Sequence, residues 1–557
     1  MEDTIAQVIR QEFDVDITPQ VSRPEPAFGD YATNVALQLA GRLGKSPRDI
    51  AEQVASALRN TEQFAEVTVA GPGFINLRIS TASLAQQLNV MLEPGYGATD
   101  SYSGKVVITE YSDPNPFKVL HAGHFYTSVV GDAMSNLIEE AGGTVHRVNF
   151  GGDVGMHVAK TMWAIIQALG GEDPEALGDI PEDQRSEWMA KQYVIGTQAY
   201  EDDPTAKETI VLLNKKIYQL HADGDHDSAL AQLYWTCRQW SYDYFDAFYD
   251  RIGTRFERYY PESETAPLGL ETVLEQKEQG IYKESDGAVI FEGEPHGLHT
   301  RVFVNKEGLP TYEAKDVGLS IKKWDDYHFD ESIIITGNDI TEYMKVVLKS
   351  IEQFKPELAQ RTTHVTHGNV KLAGGVKMSS RLGNFLRAVD VLDIAAEENE
   401  KAQGSRDDTQ VLGAIKYAFL KNRVGPDIIF DPRESVALQG NSGPYLQYAH
   451  ARAVSILEKV SSGVQPSGGS EFDDGERPLL VKLTEYPEVI NEATTQLAPH
   501  LICTYLYELA QIFNRFYEQS RIVGDEREAV RARLVRAYAG ILKNGLERLG
   551  IHAPDHL

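Results

Sequence analysis

Two histidines three residues apart are where this chain can do chemistry. The segment Glu110-Tyr-Ser-Asp-Pro-Asn-Pro-Phe-Lys-Val-Leu-His-Ala-Gly-His124 follows the apolar run Lys105-Val-Val-Ile-Thr109 and precedes Phe125-Tyr-Thr-Ser-Val-Val-Gly-Asp-Ala-Met134. The run is short enough for a buried parallel strand, and the residues after the loop read as a helix. His121 and His124 therefore stand at a helix N-terminus, where free N–H groups and the positive end of the helix dipole attract anions. Two imidazoles there suit phosphate oxygens, and Gly123 between them allows close approach of a nucleotide ring. A second segment, Gly374-Gly-Val-Lys-Met-Ser-Ser-Arg-Leu-Gly-Asn384, carries Lys377, Met378, Ser379, Ser380 and Arg381 between glycines. Such a loop can close over a triphosphate and neutralise charge on a departing pyrophosphate. Taken singly, the first segment reads equally as a capped helix with surface histidines, and the second as a basic surface loop.

The elements that must position these residues follow from pattern and composition. A chain of 557 residues implies several domains, each able to bury its own core. Residues 1–88 read as an α+β module. Helices are expected over 5–13, 31–43 and 47–58, the last opened by Ser46 before Pro47. Alternating strands are expected over 64–70 and 74–79, joined by Gly71-Pro-Gly73. Residues 104–388 alternate strands with helices, as in a doubly wound parallel sheet with Rossmann-like topology. Val145-His-Arg-Val-Asn149 supplies the second strand, and strand patterns return at 288–291, 300–304 and 332–336. An acidic helical insertion occupies roughly 170–260. Residues 389–435 read as a helical connector and 436–557 as an all-α bundle, with helices expected over 390–403, 408–422, 443–460, 475–497, 499–521 and 527–548. Fold class is thus multidomain α/β with an α+β N-terminus and an all-α C-terminus.

Only Cys237 and Cys503 occur, which excludes a disulfide framework and a cysteine zinc site. No apolar run approaches a membrane span. The acidic start Met1-Glu-Asp-Thr-Ile lacks a signal-peptide pattern, so a cytoplasmic protein with no membrane partner is expected. A net charge of −29 argues against a generic nucleic-acid binder, though local basic patches can still hold a phosphate backbone.

In order, the two segments resemble the HIGH and KMSKS signatures of class I aminoacyl-tRNA synthetases. The chain from end to end resembles the arginyl-tRNA synthetases. Phe28-Gly-Asp-Tyr-Ala-Thr-Asn-Val-Ala36 and Val69-Ala-Gly-Pro-Gly-Phe-Ile-Asn76 are similar to that family's N-terminal additional domain. Tyr445-Leu-Gln-Tyr-Ala-His-Ala-Arg452 and Leu542-Lys-Asn-Gly-Leu-Glu-Arg-Leu-Gly550 are similar to its anticodon-binding bundle. The resemblance implies ATP-dependent ligation of L-arginine to tRNA(Arg) through an arginyl-adenylate, with Mg²⁺ on the ATP phosphates, no zinc, and a monomer. It makes His121, His124, Lys377 and Lys118 catalytic. ATP would meet Pro114, Asn115, Lys118, His121, Gly123, His124 and the segment Lys377 to Arg381. Arginine would be held by Glu110, Asn115, Tyr312 and Asp316, the last two being four apart and so on one helix face. A guanidinium, planar and permanently charged, prefers such paired carboxylates. Phe28, Asn34, Tyr445, Tyr448 and Arg452 would touch tRNA. Aromatic residues at helical spacing also serve as core, and at least half of Tyr445, Tyr448, Phe513, Phe516 and Tyr517 are expected there.

Three positions depart from the family pattern. Val154 replaces its usual Trp, Ile340 stands where a Gln commonly touches the substrate's amino group, and Ser380 replaces the second lysine of KMSKS. Lys118, ahead of the histidines, is the residue thought to compensate for the last. The resemblance leaves two alternatives standing, a small-molecule nucleotidyltransferase and a catalytically dead tRNA-binding relative. The N-terminal module and helical C-terminus argue against the first, the intact histidines and Lys377 against the second.

Overall fold

The computed structural model describes residues 1–373, 386–460 and 472–557. At the N-terminus α1 (Glu2–Phe13), α2 (Val35–Leu43), α3 (Pro47–Arg59) and α4 (Thr81–Met91) accompany β1 (Val21–Ser22), β2 (Tyr31–Thr33), β3 (Phe64–Ala70) and β4 (Phe74–Ile79). The strands form an antiparallel sheet in the order β1-β2-β4-β3. The helix expected from residue 31 starts only at Val35. Tyr31–Thr33 is instead a strand, with Ala32 opposite Asn76. The Thr33 hydroxyl marks the change by accepting the Val35 N–H at 3.2 Å. Ser46 does precede α3, but its side chain makes no cap hydrogen bond, and Pro47 sets the first turn.

Five parallel strands build the central sheet: β5 (Val106–Glu110), β6 (Thr144–Gly151), β7 (Arg258–Pro261), β11 (Glu331–Gly337) and β12 (Thr362–His367), in the order β12-β11-β5-β6-β7. Chain order reverses between β5 and β11, so the crevice beyond their C-terminal ends is where such a sheet takes ligands. The patterns at 288–291 and 300–304 are strands, β9 (Ala288–Phe291) and β10 (Arg301–Val304). With β8 (Lys283–Ser285) they form a separate antiparallel sheet and do not join the parallel one. The strand β5 feeds α5 (Ala122–Glu140), a helix buried along most of its length.

The insertion is helical as expected: α6 (Met156–Leu169), α7 (Arg185–Asp202), α8 (Pro204–Asp223) and α9 (Ala229–Ile252) pack around Phe117, Val154, Val158, Met162 and Tyr234. Val154, in the place of a Trp, is thus a core residue. The fully buried Asp153 beside it fastens this insertion to the sheet. It accepts from Arg238 Nε at 2.9 Å, from Ser263 N at 2.8 Å and from Ser263 Oγ at 2.7 Å. Helix α10 (Glu262–Glu278) then crosses α11 (Tyr312–Tyr327) at backbone distance. A Cβ on Gly318 would lie 2.2 Å from the Thr265 carbonyl oxygen. That crossing fixes the height of α11 over the crevice.

Beyond α12 (Thr341–Glu352) and α13 (Pro356–Gln360), β13 (Val370–Leu372) pairs in parallel with β14 (Ile428–Phe430), a strand that the helical pattern from 390 hides. The rest is helical: α14 (Ala388–Gln403), α15 (Asp408–Leu420), α16 (Pro432–Ser435), α17 (Gly443–Glu458), α18 (Arg477–Leu483), α19 (Tyr486–Thr495), α20 (His500–Gln519) and α21 (Glu528–Arg548). The single helix expected over 475–497 is two. Pro487 lacks the N–H needed to continue α18, yet fits the first turn of α19.

Gly318→Ala should destabilise the protein by about 1–3 kcal/mol through overpacking. Gly41→Ala, on an open helix surface with nothing within 4 Å, should stabilise it by roughly 0.4–1 kcal/mol. Denaturant midpoints of the two variants decide; equal shifts would remove the tight crossing.

Candidate active site

One cavity of about 740 Å³ opens at the crevice between β5 and β11. Glu110, Asp113, Asn115, His121, Gly123 and His124 line its β5 side, and Tyr312, Asp316, Asp339, Ile340, Tyr343 and His367 its β11 side. Residues from both halves of the sheet thus meet in one space. Pro114 is buried behind it. Lys118 stands near the histidines but outside the lining, its Nζ 4.8 Å from the centre of the Tyr193 ring. Lys377, Met378, Ser379, Ser380 and Arg381 lie outside the described residues.

His121 and His124 cap α5 reciprocally. His121 Nδ1 accepts the His124 N–H at 3.3 Å, and His124 Nδ1 accepts the His121 N–H at 3.1 Å. The rings stack with centroids 3.6 Å apart. A Cβ on Gly123 would lie 2.9 Å from the His121 ring, so the glycine is needed for this stack. Desolvation in the cleft, then the charge of Lys118, pushes His121 down to about 4. Burial, then the neighbouring His121, pushes His124 well below its ordinary value. Both rings are neutral near pH 7. With each Nδ1 accepting, the proton of each neutral ring sits on Nε2. The helix start therefore presents two N–H donors to an anion. His367 supports the turn from below, with its Nε2 2.7 Å from Thr127 Oγ1.

At the other end of the cavity the charge is negative. Glu110, ending β5, is buried against Lys323, whose Nζ also donates to Ser332 Oγ at 3.1 Å. Asp316 accepts from the Tyr343 hydroxyl. Asp113 Oδ1 accepts the Phe150 N–H at 2.8 Å. Burial, then repulsion from Glu110, holds the carboxyls of both Asp316 and Asp113 well above the ordinary range. Three carboxylates facing one ammonium leave an ionised cluster two charges short of neutrality. Glu262 and Lys315 close on each other at 2.5 Å and contribute nothing net. The cavity thus pairs an anion-binding helix start with a pocket that lacks cations. Tyr312, 58% exposed, stands at the rim on the same helix as Asp316.

A family model described as the catalytic domain of the class I tRNA synthetases (R) matches residues 87–431. The chain belongs to the class I arginyl-tRNA synthetases. The arginyl-tRNA synthetase N-terminal domain model matches residues 1–79, and the DALR anticodon-binding domain model residues 446–557. The arginine–tRNA ligase of Treponema denticola is 30% identical over 94% of this chain and 92% of its own. That of Porphyromonas gingivalis is 28% identical over 97% and 95%. The Thermus thermophilus arginyl-tRNA synthetase superposes with a TM-score of 0.78 at 25% identity, covering 100% of this chain and 99% of its own.

Three residues of this synthetase's cavity escape a reading of the sequence. Asp113 lies inside the loop before the histidines and was passed over for its neighbours. Lys323 follows Asp316 by seven, a spacing that places it on the same helix face. Nothing local marks His367. Away from the cavity, Phe28 is exposed beside Thr68, Asn76 and Arg78, whereas the Asn34 amide donates to Gln20 within the module at 3.0 Å. Tyr448 is exposed with the Arg452 guanidinium 4.8 Å from its ring centre. Tyr445 is half-buried and accepts from Asn514 at 2.7 Å. Phe513 and Phe516 are core, while Tyr517 is exposed.

The two raised carboxyls give a pH prediction. Arginine binds their ionised forms, so protons compete with it at pH values above the ordinary 3.8. The KM for arginine in ATP–pyrophosphate exchange should rise as pH falls from about 8 to about 5. The KM for ATP should stay flat over that range, because His121 titrates only at about 4. A flat arginine KM with a rising ATP KM would reverse the assignment of the two ends.

Proposed function

We propose that this chain activates L-arginine with ATP and transfers it to tRNA(Arg) for protein synthesis, with the work divided along the cavity. The observation that carries the reading is the juxtaposition of two neutral imidazoles at a helix start with a pocket two charges short of neutrality. Arginine enters with its guanidinium between Glu110 and Asp316, under Tyr312. Its carboxylate, already a nucleophile, attacks the α-phosphorus of ATP in line. One carboxylate O–P bond forms, the α–β P–O bond breaks, and pyrophosphate leaves with its electron pair. No general base is needed, so catalysis is positioning and charge stabilisation. His121 and His124 donate from Nε2 to the α-phosphate. Pro114, Asn115 and Gly123 shape the nucleotide side, and Lys118 with the segment Lys377 to Arg381 neutralises the leaving group. Mg²⁺ arrives on the ATP phosphates, and no zinc is required. The terminal ribose hydroxyl of tRNA then attacks the adenylate carbonyl and AMP departs.

The same reading assigns residues 1–88, through Phe28 and Asn34, to the outer corner of the tRNA. Residues 104–388 perform catalysis, 389–435 meet the acceptor side, and 436–557 read the anticodon. There Tyr448 and Arg452 form the exposed stacking pair, with Tyr445 behind them. The enzyme is a cytoplasmic monomer. No helix among the described residues is long and apolar enough to cross a membrane.

Charging of an unfractionated tRNA pool with each of the twenty amino acids tests the activity, and arginine alone should give ester. His124→Asn keeps an acceptor for the cap but loses the Nε2 donor. Its adenylation kcat should fall about 10²–10³-fold with tRNA affinity unchanged. Asp316→Ala should raise the arginine KM roughly 30-fold or more. Normal adenylation by His124→Asn with lost tRNA binding would sink the assignment.

A further inference from the structure

We propose that Asp113 is the partner of the substrate's α-ammonium group. The inference rests on the arginine-activating reading and deepens it at one end of the same cavity. Arginine carries two cationic ends. Glu110 and Asp316, sharing Lys323, answer the guanidinium, and the α-ammonium still needs an acceptor. Asn115 is a poor candidate: its Oδ1 accepts the Gly152 N–H at 2.8 Å, which leaves its Nδ2 hydrogens for the substrate carboxylate. Ile340 lines the cavity but offers no polar atom. The Tyr343 hydroxyl donates to Asp316. Asp339 lies on the nucleotide side, where its charge acts on His121 and His367.

Asp113 has what the others lack. One oxygen is tied to the Phe150 N–H, and the other has no hydrogen-bond partner among the described residues. Asp113 lines the cavity and, across Pro114, neighbours Asn115. The carboxylate is therefore placed beside the substrate's α-carbon while Glu110 serves the far end. Its backbone is held with unusual firmness. Ser112 (φ 74°), Asp113 (φ 50°) and Phe117 (φ 68°) are non-glycine residues in the left-handed region, a strained arrangement that persists only where surroundings over-determine it. Those surroundings are Tyr249, whose hydroxyl meets Ser112 Oγ at 2.7 Å, and Ser241, whose hydroxyl accepts the Phe117 N–H at 2.9 Å. A charged acceptor on this loop replaces the neutral one that Ile340 removes.

The test compares arginine with its 2-hydroxy analogue, which keeps the guanidinium and carboxylate but has a hydroxyl in place of the ammonium. The wild-type enzyme comes first. Failure to activate arginine at all would overturn the underlying reading and leave no substrate to discuss. If arginine is activated, it should bind about tenfold or more tighter than the analogue; equal affinities would overturn the role of Asp113 alone. Asp113→Asn, which keeps an oxygen for Phe150, should then raise the arginine KM about tenfold or more while leaving the analogue's inhibition constant and the ATP KM in place. Adding Ile340→Gln should recover much of the loss. A parallel rise for arginine and analogue would move Asp113 to the guanidinium end or to a structural role, and an unchanged arginine KM would remove it from the site. Should Asp113→Asn aggregate, Asp113→Ser is read in the same way.

Discussion

Helix α5 must be buried along its length while its first turn stays open to solvent, and most of the molecule is arranged around that demand. A buried helix start has unpaired N–H groups that need acceptors. Here the two histidines supply acceptors to each other's N–H groups and keep their Nε2 hydrogens for a ligand. Farther along, the buried polar residues of α5 meet the C-terminal elements. Asp132 faces Lys416, which donates to the Gly550 carbonyl at 2.7 Å. Glu140 pairs with Arg548, and Asn136 reaches the Arg548 carbonyl. The same rod that presents the imidazoles is therefore gripped by the bundle at its other end. The N-terminal module is fastened to that bundle in turn, through Arg23 with Glu488 and Asp30 with Arg477.

The second organising force is charge kept out of water. A buried carboxylate without a cation is costly, and burial of several raises their pKa values before it destabilises the fold. Lys323 answers only part of the cluster formed by Glu110, Asp113 and Asp316. The remaining deficit is what a doubly cationic substrate repairs, so binding energy and electrostatic relief coincide. The protein's charge of −29 acts in the same direction for arginine and against it for tRNA, which leaves RNA contact to local features such as Arg452 over Tyr448.

How far these features can be read from the chain depends on whether they are local. The strand–loop–helix around His121 is legible because a short apolar run, a Pro-rich loop and a helical pattern follow one another directly. So are Tyr312 and Asp316, which share a helix face. Tyr31–Thr33 was misjudged because three residues carry too little periodicity to tell a strand from the helix that begins two residues later. The antiparallel sheet of β8, β9 and β10 defeats pattern reading for another reason: strand direction is set by partners, not by the strand's own residues. Lys323 with Glu110 joins residues 213 apart, and His367 reaches Thr127 across 240. No window along the chain holds both members of either pair. Asp113 was legible as a residue and illegible as a site, because its importance comes from Ile340 and Asn115 failing as acceptors.

The geometry also accounts for what the pocket would refuse. Citrulline has nearly the shape of arginine but no charge, so Glu110 and Asp316 would keep their mutual repulsion and lose the hydration that the ligand displaces. Rejection on that basis is steep, because a buried polar site left unpaired discriminates by far more than a missing methylene does. Lysine brings a charge, but as a compact ammonium on a shorter reach. It can satisfy one carboxylate at a time, whereas a planar guanidinium presents donors on two edges and can bridge both. Lys323 is itself the demonstration: it already lies between Glu110 and Ser332 and still leaves Asp316 to rely on a tyrosine hydroxyl. A second ammonium would repeat a solution the pocket already contains, and only a forked cation completes it.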